Sequence, residues 1–367
     1  MERFPVIQHA QEELAELVNL GPIPPPSPID CSPWIAMSTL QKAIRRGRED
    51  LALRAAATLL RDAPERLWRR CGVIAFEDIG VADLSTVLKV FAALGGKAFR
   101  AKLGGEWAVA SATVSVMAGA PKCRSADDLL MVVERHPGLE VARREYASFT
   151  TRDLLRIACG PCALPKRALA LAYAVGTARR LSDYLRPRAG EPNAAFDHLL
   201  NAGLPASAVE IAREGYAKIG EPLCHFLPLL GALLPAKPHE FTDDAMPPER
   251  MIGDVPSWAF DMFTREGRTA MKAFLARDSA TSRWTRKHVP KDKRVNFLGN
   301  IIFAAEGAAL KSRLTWSLAE VLRESAEHEC QGAGCPDARE IIALMRRDLS
   351  VLNDIRAEVM GSVHHAQ

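Results

Sequence analysis

Residues 75–87, AFEDIGVADLSTV, place Glu77, Asp78 and Asp83 within seven positions of an otherwise apolar stretch. Carboxylates so close together could hold a divalent metal or move a proton. The segment has no histidine and no alternating acid pattern beside it, so neither chemistry has its usual companions. A helix junction accounts for more of the residues. Gly80 is a natural helix stop and Asp83 a good cap for the next helix. Glu77 and Asp78 would then oppose the helix dipole, so a positive partner is expected, with Arg69, Arg70 and Lys122 as candidates. The reading is a structural junction of Glu77, Asp78, Gly80, Asp83 and Lys122, with no catalytic residue assigned.

CGPC, residues 159–162, has redox-dithiol spacing, but RDLLRIA before it reads as helix rather than strand. Cys159 and Cys162 could instead join Cys330 and Cys335 of HECQGAGC in a zinc site, if the fold brought the two halves together. Chance spacing is the favoured explanation, and no metal or other cofactor is expected. His198, His225 and His239 stand alone and read as core or surface histidines.

RWTRKHVPKDKR, residues 283–294, holds six Lys/Arg, one Trp and a single acid. Cations contact phosphates and a neighbouring aromatic can stack on an exposed base. Arg283, Trp284, Arg286, Lys287, Lys291, Lys293 and Arg294 are therefore the candidate nucleic-acid contacts. Upstream, SWAFDMFTREGR sets Trp258, Phe260 and Phe263 beside Arg265 and Arg268, with Asp261 and Arg265 spaced as partners on one helix face. Arg45, Arg46, Arg48, Arg69 and Arg70 form a second basic cluster that could extend this surface or serve the carboxylates of the junction. The competing reading of 283–294 is a solvated loop whose Trp packs inward.

The elements that must position these residues read as helices. The 367 residues are rich in alanine and leucine, only 6% aromatic, and have short, scattered β-branched runs. Helices are expected near 7–19, 39–62, 65–79, from Asp83 through STVLKVFAALGG, and then near 105–118, 125–135, 150–159, 165–185, 193–201, 206–216, 222–234, 257–277, 293–309, 311–327 and 336–359. GPIPPPSPIDCSP, residues 21–33, is a stiff spacer, and the Pro- and acid-rich stretch 235–256 marks a late boundary. The expected fold is an all-α multi-helical bundle with two or three subdomains. Its parts are an N-terminal helix and linker (1–32), a helical module (33–140), a middle helical segment (141–240) and a basic C-terminal domain (245–367). Net charge is +4, yet residues 41–70 carry a local +5 and residues 262–313 a local +8, which leaves the rest at −9 and is a physical reason to ask about an anionic partner. No apolar run reaches the ~20 residues of a membrane span and no signal-peptide order opens the chain, so the expected setting is cytoplasmic, with no membrane partner.

Three blocks in order, STLQKAIRRGREDLALRAAATLL, LWRRCGVIAFEDIGVAD and WAVASATVSVMAGAPKCRSADDLL, resemble the C-terminal region of the RarA/MgsA family. These are AAA+ replication-associated recombination ATPases related to clamp loaders. The resemblance covers about residues 36–135 and departs at Phe76, Leu84 and Cys123-Arg124, where the family has Ser, Pro and Ser-Asn. It implies a helical oligomerisation module without the motor, because the chain has no G-x-x-x-x-G-K-[ST] loop to cradle phosphate. The expectation is a non-catalytic DNA replication or recombination accessory protein that forms homo-oligomers and contacts DNA or a replication protein through a basic surface. An adaptor for a separate AAA+ ATPase is the alternative, and a zinc- or thiol-dependent enzyme a weaker one.

Overall fold

The computed structural model describes residues 5–179, 182–236, 239–332 and 335–364. The fold is an all-α multi-helical bundle. The first helix, Pro5–Asn19, buries Ile7, Ala10, Leu14 and Val18 at helical spacing and lies on Leu84–Ala93. The proline-rich segment then runs exposed over the surface from Gly21 to Pro28. It is tied down at Pro24, whose carbonyl accepts a bond from the Trp107 indole at 2.6 Å, and at buried Ile29, whose backbone N–H and C=O both bond the Thr58 hydroxyl (2.8 and 3.0 Å).

Helix Pro33–Arg45 starts with Ser32 as its cap and Pro33 in the first turn. It is buried on nearly every face, its cationic residues included, because Glu49–Asp62 covers one side and the C-terminal part covers another. Gly47, at φ 64°, makes the break between the two helices. Pro64–Ile74 runs on into a π-helical turn, Ala75–Ile79. The chain leaves that turn at Gly80 (φ 52°, ψ −134°), a conformation open to glycine, and a Cβ there would lie 2.9 Å from the Cys123 carbonyl oxygen. Asp83 caps the next helix as expected: one carboxylate oxygen accepts from the Thr86 N–H (3.0 Å), the other from its hydroxyl (2.7 Å).

The expected helix over 165–185 is Leu164–Val175, because Gly176 leaves it at φ 110°. The stretch expected as one helix over 311–327 is a short strand, Arg313–Thr315, followed by Ser317–Glu324; the strand pairs antiparallel with Glu240–Thr242 inside the late boundary segment. Helix Ala280–His288 takes in the first half of the stretch considered as a basic loop. The middle helices share one core with residues 33–140, and that core also takes in Leu314, Trp316 and Leu322. A second core gathers Phe274, Trp284, Phe297, Ile301, Met345 and Leu352 from the C-terminal helices. No helix among the described residues is long and apolar enough to cross a membrane.

Candidate functional site

The three acids of the junction have separate fates. A π turn holds more residues per turn than an α turn, which narrows the angle between successive side chains and lets adjacent Glu77 and Asp78 reach the same cations. Those cations are Arg45 and Arg124. The Arg45 Nε donates to Asp78 Oδ1 at 2.7 Å and its Nη2 to Glu77 Oε1 at 2.6 Å, while Nη1 reaches the Gly307 carbonyl at 2.9 Å. Arg124 Nη1 donates to the same two carboxylates at 2.6 and 3.2 Å, and its Nη2 pairs with Asp127. The Phe303 ring lies 5.3 Å from the Arg45 guanidinium carbon and 5.0 Å from that of Arg124. Gln41 supplies a further donor to Asp78 Oδ2 at 2.9 Å.

Burial opposes the charged form of Glu77, but the two guanidiniums outweigh it and hold its carboxyl down to about 2. With side-chain exposure of 0%, Asp78 is closed to solvent and its oxygens accept bonds from three side chains. Glu77 is thereby held in its ionised form, and both carboxylates are engaged by buried guanidiniums. The expected partners are corrected accordingly. Arg69 reaches Glu221 at the surface (3.3 Å), and Arg70 bonds the Gln41 amide oxygen (3.2 Å), acting on Glu77 through its charge and not through a direct ion pair among the described residues. The Lys122 ammonium is turned to the carbonyls of Ala118 and Ala120, and burial pulls it down to about 8 against the opposing pull of Asp78 and Asp83. Its backbone still serves the junction: Lys122 N–H bonds the Ser312 carbonyl (2.9 Å) and its C=O accepts from Leu314 (2.8 Å), while Cys123 N–H bonds the Asp78 carbonyl (2.8 Å).

Two further cations of the Pro33–Arg45 helix and its cap are also internal. Lys42 pairs with Asp261, which also accepts from the Ser38 hydroxyl at 2.7 Å. Asp261 therefore belongs to Lys42, not to Arg265 as its spacing predicted. Arg46 bonds the Glu306 carbonyl at 2.8 Å and lies 4.9 Å from the Trp258 ring centre. The Glu306 carboxylate is held by Arg356 at 2.9 and 3.1 Å, with both side chains 1% exposed. Of the second basic cluster, Arg45 and Arg46 thus serve the interior, and the outward extension of the basic surface is withdrawn for them.

The basic dodecamer divides by role. Trp284 is buried at 7% exposure, stacked on Phe297 at 6.0 Å, with its indole N–H on Glu340 (2.9 Å), so the stacking platform expected there is part of the core. Arg286 donates to the Leu275 and Arg277 carbonyls (2.7 and 3.2 Å), and Arg294 to those of Val289 and Arg286 (2.9 and 2.8 Å). Arg283 pairs with Asp278 at the surface. Lys287, Lys291 and Lys293 are exposed and form no ion pair among the described residues.

The exposed aromatic is Phe263, at 72%. Asp261 fixes its position by accepting the Phe263 N–H at 2.9 Å. Behind it, helix Arg265–Ala276 starts at the Thr264 cap and turns Arg265, Arg268 and Lys272 outward at spacings of three and four, on one face. Arg268 reaches Asn296 at 3.3 Å, and Asn296 lies one turn along from Lys293 on the neighbouring helix. Phe263, Arg265, Arg268, Lys272 and Lys293 are all exposed and make up the candidate ridge, with no ion pair to these cations among the described residues. Lys272 lay outside the sequence expectation; its spacing from Arg265 and Arg268 was the available signal.

All eight cysteines are free thiols. Burial pushes Cys330 up to about 12 and Cys335 to about 11. Among the described residues no three His, Cys, Asp or Glu side chains are placed to hold a metal, so Cys159 and Cys162 are not gathered with Cys330 and Cys335. No family model matches the chain, and neither a similar curated protein nor a similar solved structure is found.

Proposed function

We propose that the protein is a non-catalytic DNA replication or recombination accessory factor that holds nucleic acid on the ridge of Phe263, Arg265, Arg268, Lys272 and Lys293. One observation carries this reading: a 72%-exposed phenylalanine stands at the end of a row of outward cations that have no ion-pair partners among the described residues. Phosphates would displace counterions along the row, and Phe263 offers an open face to a base. The likeness of residues 36–135 to the RarA/MgsA C-terminal region supports the replication setting and a homo-oligomer.

The test is binding of single-stranded, duplex and forked DNA across a salt series, with mass measured by light scattering. Replacing Arg265, Arg268 and Lys272 together by Glu should flatten the slope of log affinity against log salt by about 2 for single strands. Phe263→Ala should weaken single-strand binding by about 1–3 kcal/mol while leaving the salt slope unchanged. An oligomer without salt-sensitive DNA binding would remove this reading in favour of the adaptor for a separate AAA+ ATPase.

A further inference from the structure

A cleft of about 130 Å³ opens between the start of helix Ser125–Arg135, the two-stranded ribbon of Glu240–Thr242 with Arg313–Thr315, and helix Ser317–Glu324. Its wall includes Arg124, already paired with the junction carboxylates, the exposed Glu320 at the rim, and two further sets of charged groups. Asp244 and Arg313 satisfy one another, Nε to Oδ1 at 2.8 Å, and Asp244 also accepts the Leu310 N–H at 2.9 Å. Asp128 and Arg323 are different. Both are half-buried, and neither makes a side-chain hydrogen bond or ion pair among the described residues.

A charged group withdrawn from water without a partner is costly, and two of opposite sign in one cleft would ordinarily be expected to find each other. Here they do not: the field of Arg323 acts on Asp244, while the charges acting on Asp128 are Arg124, Asp127, Arg313 and Glu327. Burial pushes the Asp128 carboxyl up to about 7, so a cation arriving beside it would restore its ionised form. The cleft is comparable in volume to engineered cavities of about 150 Å³ that take up benzene, so it admits a molecule of about that size.

We propose that this cleft binds a small zwitterion, an α-amino acid with a short side chain, whose ammonium pairs with Asp128 and whose carboxylate pairs with Arg323. An arginine fork matches a carboxylate in a bidentate manner, and a carboxylate with no hydrogen-bonded partner suits an ammonium. The arrangement is independent of the nucleic-acid ridge, and neither proposal rests on the other.

Calorimetric titration of the full chain with glycine, alanine, serine, threonine and valine, each to about 10 mM, tests it, with ethylamine and propionate as one-ended probes. At least one amino acid should bind and neither one-ended probe should match it. Asp128→Asn, which keeps the shape of the side chain, and Arg323→Met should each weaken binding by at least about tenfold. Arg323→Lys, which keeps the charge and loses the fork, should fall between, and circular dichroism reports whether each variant is folded. Failure of all five amino acids to bind overturns the proposal. So does equal binding by propionate, or binding unchanged in folded Asp128→Asn and Arg323→Met protein.

Discussion

His225→Leu should make the protein more resistant to acid, by an amount the structure sets. His225 is 1% exposed, its ring lies 4.7 Å from Phe226 and 6.1 Å from Tyr216, and neither ring nitrogen has a hydrogen-bond partner among the described residues. Burial pulls its pKa from 6.5 down to about 3. The sign follows from proton uptake. Between these values the unfolded chain binds a proton that the folded chain refuses, so stability is intact above 6.5 and falls as the pH drops towards 3. At about 1.36 kcal/mol per pH unit, the 1.5 units between 6.5 and pH 5 amount to about 2 kcal/mol. Leucine fills a similar volume and leaves no unbonded polar atom, so it should cost little at pH 7.5. Asp127 and Asp128, raised by burial to about 6 and 7, act in the opposite direction, since their protonation in this range favours the folded state. They are common to both proteins and cancel in the difference. Urea unfolding of wild type and variant at pH 7.5 and pH 5 provides the assay, with the slope against denaturant held as a check on the transition. The variant should gain about 2 kcal/mol over wild type on going to pH 5. Parallel behaviour of the two proteins would show that folded His225 takes up its proton as easily as the unfolded chain, and would refute the argument.

Arg124→Met leaves Glu77, Asp78 and Asp127 short of a cation in the interior, and should cost about 3–5 kcal/mol in a denaturant titration. Gly80→Ala forces a side chain into a glycine conformation against the Cys123 carbonyl and should lower stability by about 1–3 kcal/mol, read as a drop in Tm. Trp284→Ala should cost about 3–5 kcal/mol of stability, yet DNA affinity per folded molecule, measured by anisotropy, should not change, because the indole faces Phe297 and not solvent.

Much of the architecture was legible where local chemistry decides it. Gly80 and Asp83 mark helix ends by mechanisms confined to a few residues, and the structure uses both, whereas Ser32-Pro33, read as the end of the spacer, starts a helix ahead of the one expected from residue 39. The partners of Glu77 and Asp78 were not legible, because Arg45 lies more than 30 residues before them and Arg124 more than 40 after. A helix carrying Lys42 and Arg45 reads as one with a wet basic face, and only the packing of the C-terminal part shows that it has no such face. Trp284 sits among six cations, so neighbours in sequence describe it badly; its true neighbour, Phe297, is thirteen positions on. Arg313–Thr315 was missed because three residues are too few to show alternation, and its partner strand lies in a segment read as a boundary loop.

The bonds made by Lys42, Arg45 and Arg46 also set a timetable for synthesis. The Arg45 guanidinium reaches the Gly307 carbonyl across 262 positions of chain. At about 5–20 residues per second, a ribosome needs on the order of 13–52 s to make that stretch. Until then Arg45 has only Glu77 and Asp78, while Lys42 and Arg46 lack their acceptors at Asp261 and Glu306 and are held in water by their charge. The early part of the nascent chain therefore waits in a solvated, incompletely packed form, open to any polyanion nearby. Its packing closes when the C-terminal helices arrive.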